Sequence, residues 1–184
     1  MVKKKPIHYV DNEKFLAAII VFRDKVAAAK EEGKERPRVG NYIGECFMKI
    51  AVHLARNRNF TLYPYKEDMI SDGIENCLQY IDNFDPNKFT DRKPNPFAYF
   101  TQIIYFAFLR RIEKEKKQLY TKYKVTEHAQ SYSLNQTSHS HDGSSDHGTS
   151  ARAGEWSQDY MHRFIGDFEE SRRKKKEKTK KSKT

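Results

Sequence analysis

The sequence predicts an all-α fold: a compact helical bundle followed by a flexible linker and a basic C-terminal tail. Three observations carry this. Between residues 11 and 125, apolar side chains recur at spacings of three and four, one face of a helix, in four successive segments. Those segments are separated by Gly-, Pro-, Asn- and Asp-containing breaks. Beyond about Thr126 the apolar residues nearly vanish, and residues 131–154 are dominated by Ser, His, Thr, Gly and Asp, a composition that cannot bury enough surface to order itself. With 184 residues, 37% apolar, and a mean hydropathy of −0.93, the chain affords one modest core and not two.

Residues 1–10 read as a basic leader. Met1-Val2-Lys3-Lys4-Lys5 begins like the charged end of a secretory signal, but no apolar run follows before Asp11 and Glu13. Asp11 or Asn12 caps a first helix whose body runs from Phe15 to about Lys30, with Phe15, Ile19, Phe22 and Val26 on one face and Gly33 as its stop. A polar break over 33–40 leads to a second helix over 41–58. Ile43, Phe47, Ile50, Ala51 and Leu54 face one way there, and Lys49, Arg56 and Arg58 the other. A turn at 59–64 precedes a third helix over about 65–83, which Asp85-Pro86-Asn87 ends because Pro86 disfavours helix at the residue before it. Three prolines make 86–96 a loop. A fourth helix starts near Asn95, with Pro96 in its first turn where a missing N–H costs nothing, and continues past Lys117. The helical domain is thus expected over 11–125, a disordered linker over 126–154, and a C-terminal segment over 155–184. That segment recovers aromatics from Trp156 to Phe168 and ends, from Arg172 to Lys183, in nine bases and one acid. No internal repeat is visible.

The net charge of +10 and pI near 9.5 favour polyanionic partners, with a merely soluble basic protein as the bland alternative. Cys46 and Cys77 lie inside apolar helical patterns without a CxxC spacing, so reduced core thiols in a cytoplasm are expected. No apolar run approaches a membrane span. His139, His141 and His147 lie in the Ser/Gly/Asp-rich stretch and read as a polar tract in preference to a metal site. No metal and no cofactor are expected.

Two adjacent segments stand out. In residues 65–84, Met69, Ile70, Ile74, Cys77, Leu78 and Ile81 make an apolar stripe, while Asp68, Asp72, Glu75, Gln79 and Asp82 follow a four, three, four, three spacing on a different face. Four carboxylates in line repel mildly, by about a few tenths of a kcal/mol per pair, in a chain that is otherwise basic. A solvated helix face, a docking surface for a basic partner and a metal-bound carboxylate cluster of a nuclease are the three readings. The last lacks a convincing second cluster. In residues 95–118, six of the first fourteen residues are Phe or Tyr. Phe97, Phe100, Ile104, Ala107 and Phe108 form one face; Tyr99, Ile103 and Phe106 lie on the far side, close to Arg110 and Lys114. A surface helix needs one apolar stripe. The surplus suits either a helix buried on both sides or a platform on which unpaired bases stack, worth about 1–3 kcal/mol each, while Arg and Lys hold phosphates. Such a platform offsets the few kcal/mol needed to extrude a base.

The order of these segments carries a resemblance. Asp68-Met69-Ile70-Ser71-Asp72-Gly73, continuing to Ile81-Asp82-Asn83-Phe84-Asp85, resembles conserved region 2 of bacterial sigma factors, without a gap through Asp85. Asn83-Phe84-Asp85, Asn95-Pro96, Ala98-Tyr99, Thr101-Gln102, Ala107-Phe108, Arg111-Ile112, Lys114-Glu115 and Lys122-Tyr123 resemble the late-transcription sigma factors of T-even-type bacteriophages over residues 10–125. This implies a region 2-type helical bundle and a non-catalytic specificity subunit in the host bacterial cytoplasm, associated with the nucleoid. Asp68, Asp72, Glu75 and Gln79 would dock the coiled coil of the largest subunit of the host RNA polymerase core. Tyr99, Gln102, Phe106, Arg110 and Lys114 would recognise and melt an AT-rich −10-like element of late promoter DNA and hold its non-template strand. No segment resembling the helix-turn-helix that reads a −35 element follows, and the late phage family also lacks it. The family is activated by a DNA-mounted sliding clamp with a late co-activator, through a short hydrophobic and acidic epitope. Phe164, Ile165 and Phe168, within Phe164-Ile165-Gly166-Asp167-Phe168-Glu169-Glu170, are the matching anchors, against a minor amphipathic stretch as the alternative. The rival functions are a free-standing DNA- or RNA-binding protein without a polymerase partner and, third, a metal-dependent nuclease.

Overall fold

The computed structural model describes residues 9–88, 93–137 and 150–181. Five α-helices follow one another among them: α1 (Asn12–Glu31), α2 (Asn41–Ala55), α3 (Lys66–Tyr80), α4 (Pro96–Thr137) and α5 (Ser150–Lys181). Two single turns of 3-10 helix, Ile81–Asn83 and Pro86–Lys88, lie between α3 and α4. There is no strand among the described residues, so the all-α expectation holds. The chain divides into two compact units, Met1–Ile112 and Glu113–Thr184, with the boundary inside α4.

The first unit is a helical bundle, and its elements begin and end for local reasons. The Asp11 carboxylate accepts from the backbone N–H of Glu13 at 3.1 Å and of Lys14 at 3.2 Å, capping α1. Past the other end of α1, Gly33 takes φ +64°, where a Cβ would be strained, and the Lys34 N–H closes on the Ala29 carbonyl at 2.8 Å. Helix α2 stops at Ala55, three residues before the expected end. The chain turns there, with Asn57 N–H on the Leu54 carbonyl at 3.0 Å, and this turn returns Phe60 to the core at 2% exposure. At the end of α3 the helix tightens to a 3-10 turn that buries both Ile81 and Phe84. The Arg23 guanidinium donates to the Phe84 carbonyl at 2.8 Å and to Asp85 Oδ1 at 3.2 Å, fixing that corner against α1. Helix α4 opens with Pro96 in its first turn, as expected. Asn95 Oδ1 accepts from the Ala98 N–H at 3.0 Å, and the Phe97 N–H donates to Asn12 Oδ1 at 3.2 Å, tying the starts of α1 and α4 together.

The core is centred on Phe100. Its ring lies 4.7 Å from that of Phe47, 5.7 Å from Phe15 and 5.9 Å from Phe84, and all four side chains are fully buried. Truncating one such ring costs about 3–5 kcal/mol. Burial pushes the Cys77 thiol up to about 12, so it stays a neutral core group, and both Cys46 and Cys77 are free and buried as read from the sequence.

Four expectations need correction. The leader ends earlier than residue 10: Val10 is buried and the Tyr9 ring stacks on His53 with centroids 3.8 Å apart. Leu78, expected in the apolar stripe of α3, is exposed, because the buried row is Met69, Gly73, Cys77 and Ile81. Residues 126–137, assigned to a linker, continue α4. No Gly or Pro interrupts the sequence there, and the Thr126 hydroxyl bonds back to the Lys122 carbonyl at 3.0 Å. Residues 150–154 likewise belong to α5, and the basic tail is helical to Lys181. Lys, Arg and Glu are good helix formers, and Lys174 pairs with Glu170 one turn back at 2.7 Å. His139, His141 and His147 lie outside the described residues. No helix among the described residues is long and apolar enough to cross a membrane.

Gly73 lets α3 and α4 touch. A Cβ there would lie 3.0 Å from Ile104 Cγ2 and 3.2 Å from Phe108 Cε1, both on fully buried side chains that would have to shift by a few tenths of an ångström. Gly73→Val is therefore expected to destabilise the fold by about 1–3 kcal/mol through overpacking, read as a lowered midpoint in urea. An unchanged or raised midpoint would show that the contact is loose.

Candidate functional site

The outward side of α3 and the adjoining side of α4 form the candidate site in the first unit. Asp68, Asp72, Glu75 and Gln79 share one line along α3, as the spacing predicted. The structure does not leave them bare. Arg111 of α4 is largely buried, and its guanidinium meets Asp68 Oδ2 at 2.9 Å and Asp72 Oδ2 at 3.3 Å. Farther along, Asp82 meets Arg36 at 2.9 Å. Three of the four aligned carboxylates are thus engaged within the unit, and Glu75 makes no ion pair among the described residues. The sequence offered no signal for the Arg111 pairing, because it depends on how α4 lies against α3. It also occupies the carboxylates that a metal-dependent nuclease would use. Among the described residues no group of three His, Cys, Asp or Glu side chains converges on a metal position.

The five nucleic-acid candidates on α4 separate. Phe106 is exposed at 49%, and Gln102 and Arg110 are also exposed. Arg110 Nη2 donates to Asn76 Oδ1 at 2.6 Å, which sets the α4 face beside the α3 line. Tyr99 differs: it is half-buried, its ring is 5.2 Å from that of Phe84, and burial raises its phenol above the ordinary value. Ile103, placed with it on the far side, also packs on the core. Both therefore support the bundle more than they face solvent. Lys114 is exposed and belongs to the second unit.

Two side chains of this face were missed. Tyr105 and Leu109 are exposed at 38% and 40% and sit beside Phe106 on the helix. Tyr105 is held edge-on against Phe60 at 5.7 Å and against Phe106 at 5.9 Å. A helical wheel contains the signal: Gln102, Phe106 and Leu109 fall about opposite the stripe of Phe100, Ile104, Ala107 and Phe108, with Tyr105 next to them. The arrangement offers flat aromatic faces, an amide and a guanidinium on one surface. Those are the groups needed to stack bases and hold phosphates.

In the second unit, the residues expected to anchor a clamp are engaged. The α4 segment after Ile112 pairs antiparallel with α5. Lys175 meets Glu113 at 2.9 Å, Phe168 stacks on Tyr120 at 4.6 Å, Phe164 packs on Tyr123 at 5.5 Å, and His162 meets Glu127 at 3.2 Å. Ile165 and Met161 are buried, and Phe164 and Phe168 are half-buried. The expected epitope thus lies on the apolar face of a helix, with Phe164 and Phe168 packed on tyrosines.

Polar pairs flank that face. The Tyr120 hydroxyl donates to Glu169 at 2.8 Å, which holds the Glu169 carboxyl below its ordinary value, with Lys124 adding to the effect. The Lys124 ammonium donates to Glu127 at 3.0 Å, lowering that carboxyl and raising its own ammonium. Lys175 lowers Glu113 in the same way.

The chain matches no protein-family model and no curated protein.

Lowered carboxylates fix the sign of the pH dependence. Their stabilisation is present above the ordinary value of 4.5 and is lost as pH falls through the lower folded values. The α4–α5 pairing is therefore expected to loosen in acid before the Phe100 core does. Amide protection factors of residues 113–129 and 158–175 should fall on going from pH 6 to below 4.5, while those of α2 hold. Equal losses in both sets would contradict this.

Proposed function

We propose that the chain is a sigma factor of the late bacteriophage type, a non-catalytic subunit that gives a host RNA polymerase core its promoter specificity. It works in the host bacterial cytoplasm. The observation that supports this best is the Asn76–Arg110 hydrogen bond, because it joins two surfaces of different chemistry edge to edge. The α3 edge, with Glu75, Gln79 and Asp68 exposed and Asp72 in line with them, suits a basic helical partner such as the coiled coil of the largest polymerase subunit. The α4 face, with Tyr105, Phe106, Gln102 and Arg110, suits the unstacked non-template strand of an AT-rich −10-like element. A subunit of this kind must hold the enzyme and the opened strand at once, and adjacency of the two surfaces fixes their geometry. A sliding clamp, acting with a late co-activator through Phe164, Ile165 and Phe168, completes the proposal. It requires Phe168 to leave Tyr120 and Phe164 to leave Tyr123. The informative assay is transcription in vitro with core polymerase, with and without a clamp. Promoter-specific transcripts support the proposal. Their absence, together with tight sequence-independent binding by the isolated chain, favours a free-standing nucleic-acid-binding protein instead.

The docking edge is tested away from the Arg111 pairs, so that the fold is spared. Glu75→Lys with Gln79→Lys should weaken capture of core polymerase by about tenfold, which corresponds to about 1.4 kcal/mol. Undiminished capture would refute docking through α3.

Tyr105→Ala with Phe106→Ala should leave core binding intact and lower promoter opening at least about tenfold, given about 1–3 kcal/mol per stacked base. Permanganate reactivity of the opened thymines reads this directly. Opening at the full rate would remove the stacking role from α4.

A further inference from the structure

The end of α5 has no part in the function proposed above. From Ser171 to Lys181 every residue is exposed, none is apolar, and eight of the eleven are Arg or Lys against one Glu. Two of the eight are matched locally, Lys174 by Glu170 at 2.7 Å and Lys175 by Glu113 at 2.9 Å. Lys176, Lys178 and Lys181 make no ion pair among the described residues. Like charges four apart on a helix, such as Arg172 and Lys176, repel one another, so the helix carries strain that an array of anions would relieve.

We propose that residues 172–181 of α5 form a sequence-independent binding helix for B-form DNA, lying in the major groove with its bases on the phosphates of both walls. The distribution of charge around the helix supports this. At 100° per residue, Arg172, Arg173 and Lys176 project to one side and Lys178 and Lys181 to the other. A helix that docks on a flat acidic protein surface needs its charge on one face only. A helix set between two phosphate walls needs it on both. An α-helix is about 10–12 Å across with its side chains, and the B-form major groove is about 12 Å wide. The segment is about 14 Å long at 1.5 Å per residue, enough to meet several phosphates on each strand. A-form RNA is a poor fit, because its major groove is too deep and narrow for side chains to reach in. A membrane surface is a poor fit as well, because an interfacial helix buries an apolar face and this one has none. The site belongs to the second unit and does not depend on the promoter reading.

Fluorescence anisotropy of the full chain with a 20-base-pair mixed-sequence DNA duplex, and with the RNA duplex of matched sequence, tests the assignment across 50–200 mM salt. The full chain should bind the DNA duplex at least about tenfold more tightly than the RNA duplex. The variant carrying Arg172→Gln, Arg173→Gln, Lys176→Gln, Lys178→Gln and Lys181→Gln should lose about 4.5 from the slope of log affinity against log salt, near 0.9 per phosphate contact. Gln is close to Arg and Lys in helix propensity, so its helical circular dichroism should be unchanged. A second variant, Arg172→Lys with Arg173→Lys, keeps the charge and should keep the wild-type slope. The proposal is overturned by a five-site variant that binds like wild type, by RNA bound as tightly as DNA, by no DNA binding at 50 mM salt, or by loss of slope in the charge-preserving variant.

Discussion

The bundle and its candidate site depend on one close approach, the contact of α3 with α4 at Gly73. With no side chain at that position, Ile104 and Phe108 lie directly against the α3 backbone. The same approach brings Arg111 within reach of Asp68 and Asp72, and Arg110 within reach of Asn76. A side chain at 73 would press on Ile104 and Phe108, and so on the approach that these contacts depend on. The polar arrangement on the surface is therefore a consequence of packing beneath it. Exposed ion pairs contribute little by themselves, and the buried rings around Phe100 supply the rigidity that keeps them in place.

The charge pattern of α3 changes meaning once this packing is known. A line of carboxylates in a basic protein suggests a surface reserved for a basic partner. Here Arg111 and Arg36 supply part of that charge from within, and among the described residues Glu75 is the carboxylate on the line that makes no ion pair. The Asp68 and Asp82 side chains are still 58% and 47% exposed, so a partner can reach them. The result is a face whose charge is graded instead of uniform.

What could be read from the sequence follows from the range of the forces involved. The cap at Asp11, one of two candidates, the Gly33 stop, the Pro96 first turn and the Phe100, Ile104, Phe108 stripe rest on neighbours within a turn or two, and the pattern pointed to each. The stop of α2 at Ala55 was not legible, since it serves the burial of Phe60. Tyr99 and Ile103 could not be told from Phe106 by periodicity, because only the position of Phe84 and the rest of the core decides which flank of α4 is covered. The extension of α4 through 126–137 was obscured by composition: a polar stretch suggests disorder even where nothing in it breaks a helix. The pairing of α5 with α4 was invisible for the same reason as the Arg111 bridge, being a contact between distant segments.

The covered face of α5 sets a condition on whatever takes Phe164, Ile165 and Phe168. A ligand for those side chains would find them available only in the fraction of molecules in which α5 has uncovered this face. Its apparent dissociation constant is the intrinsic one divided by that fraction. The pairing of α5 with α4 would therefore raise the concentration that any ligand of this face needs, in proportion to how rarely the face is uncovered.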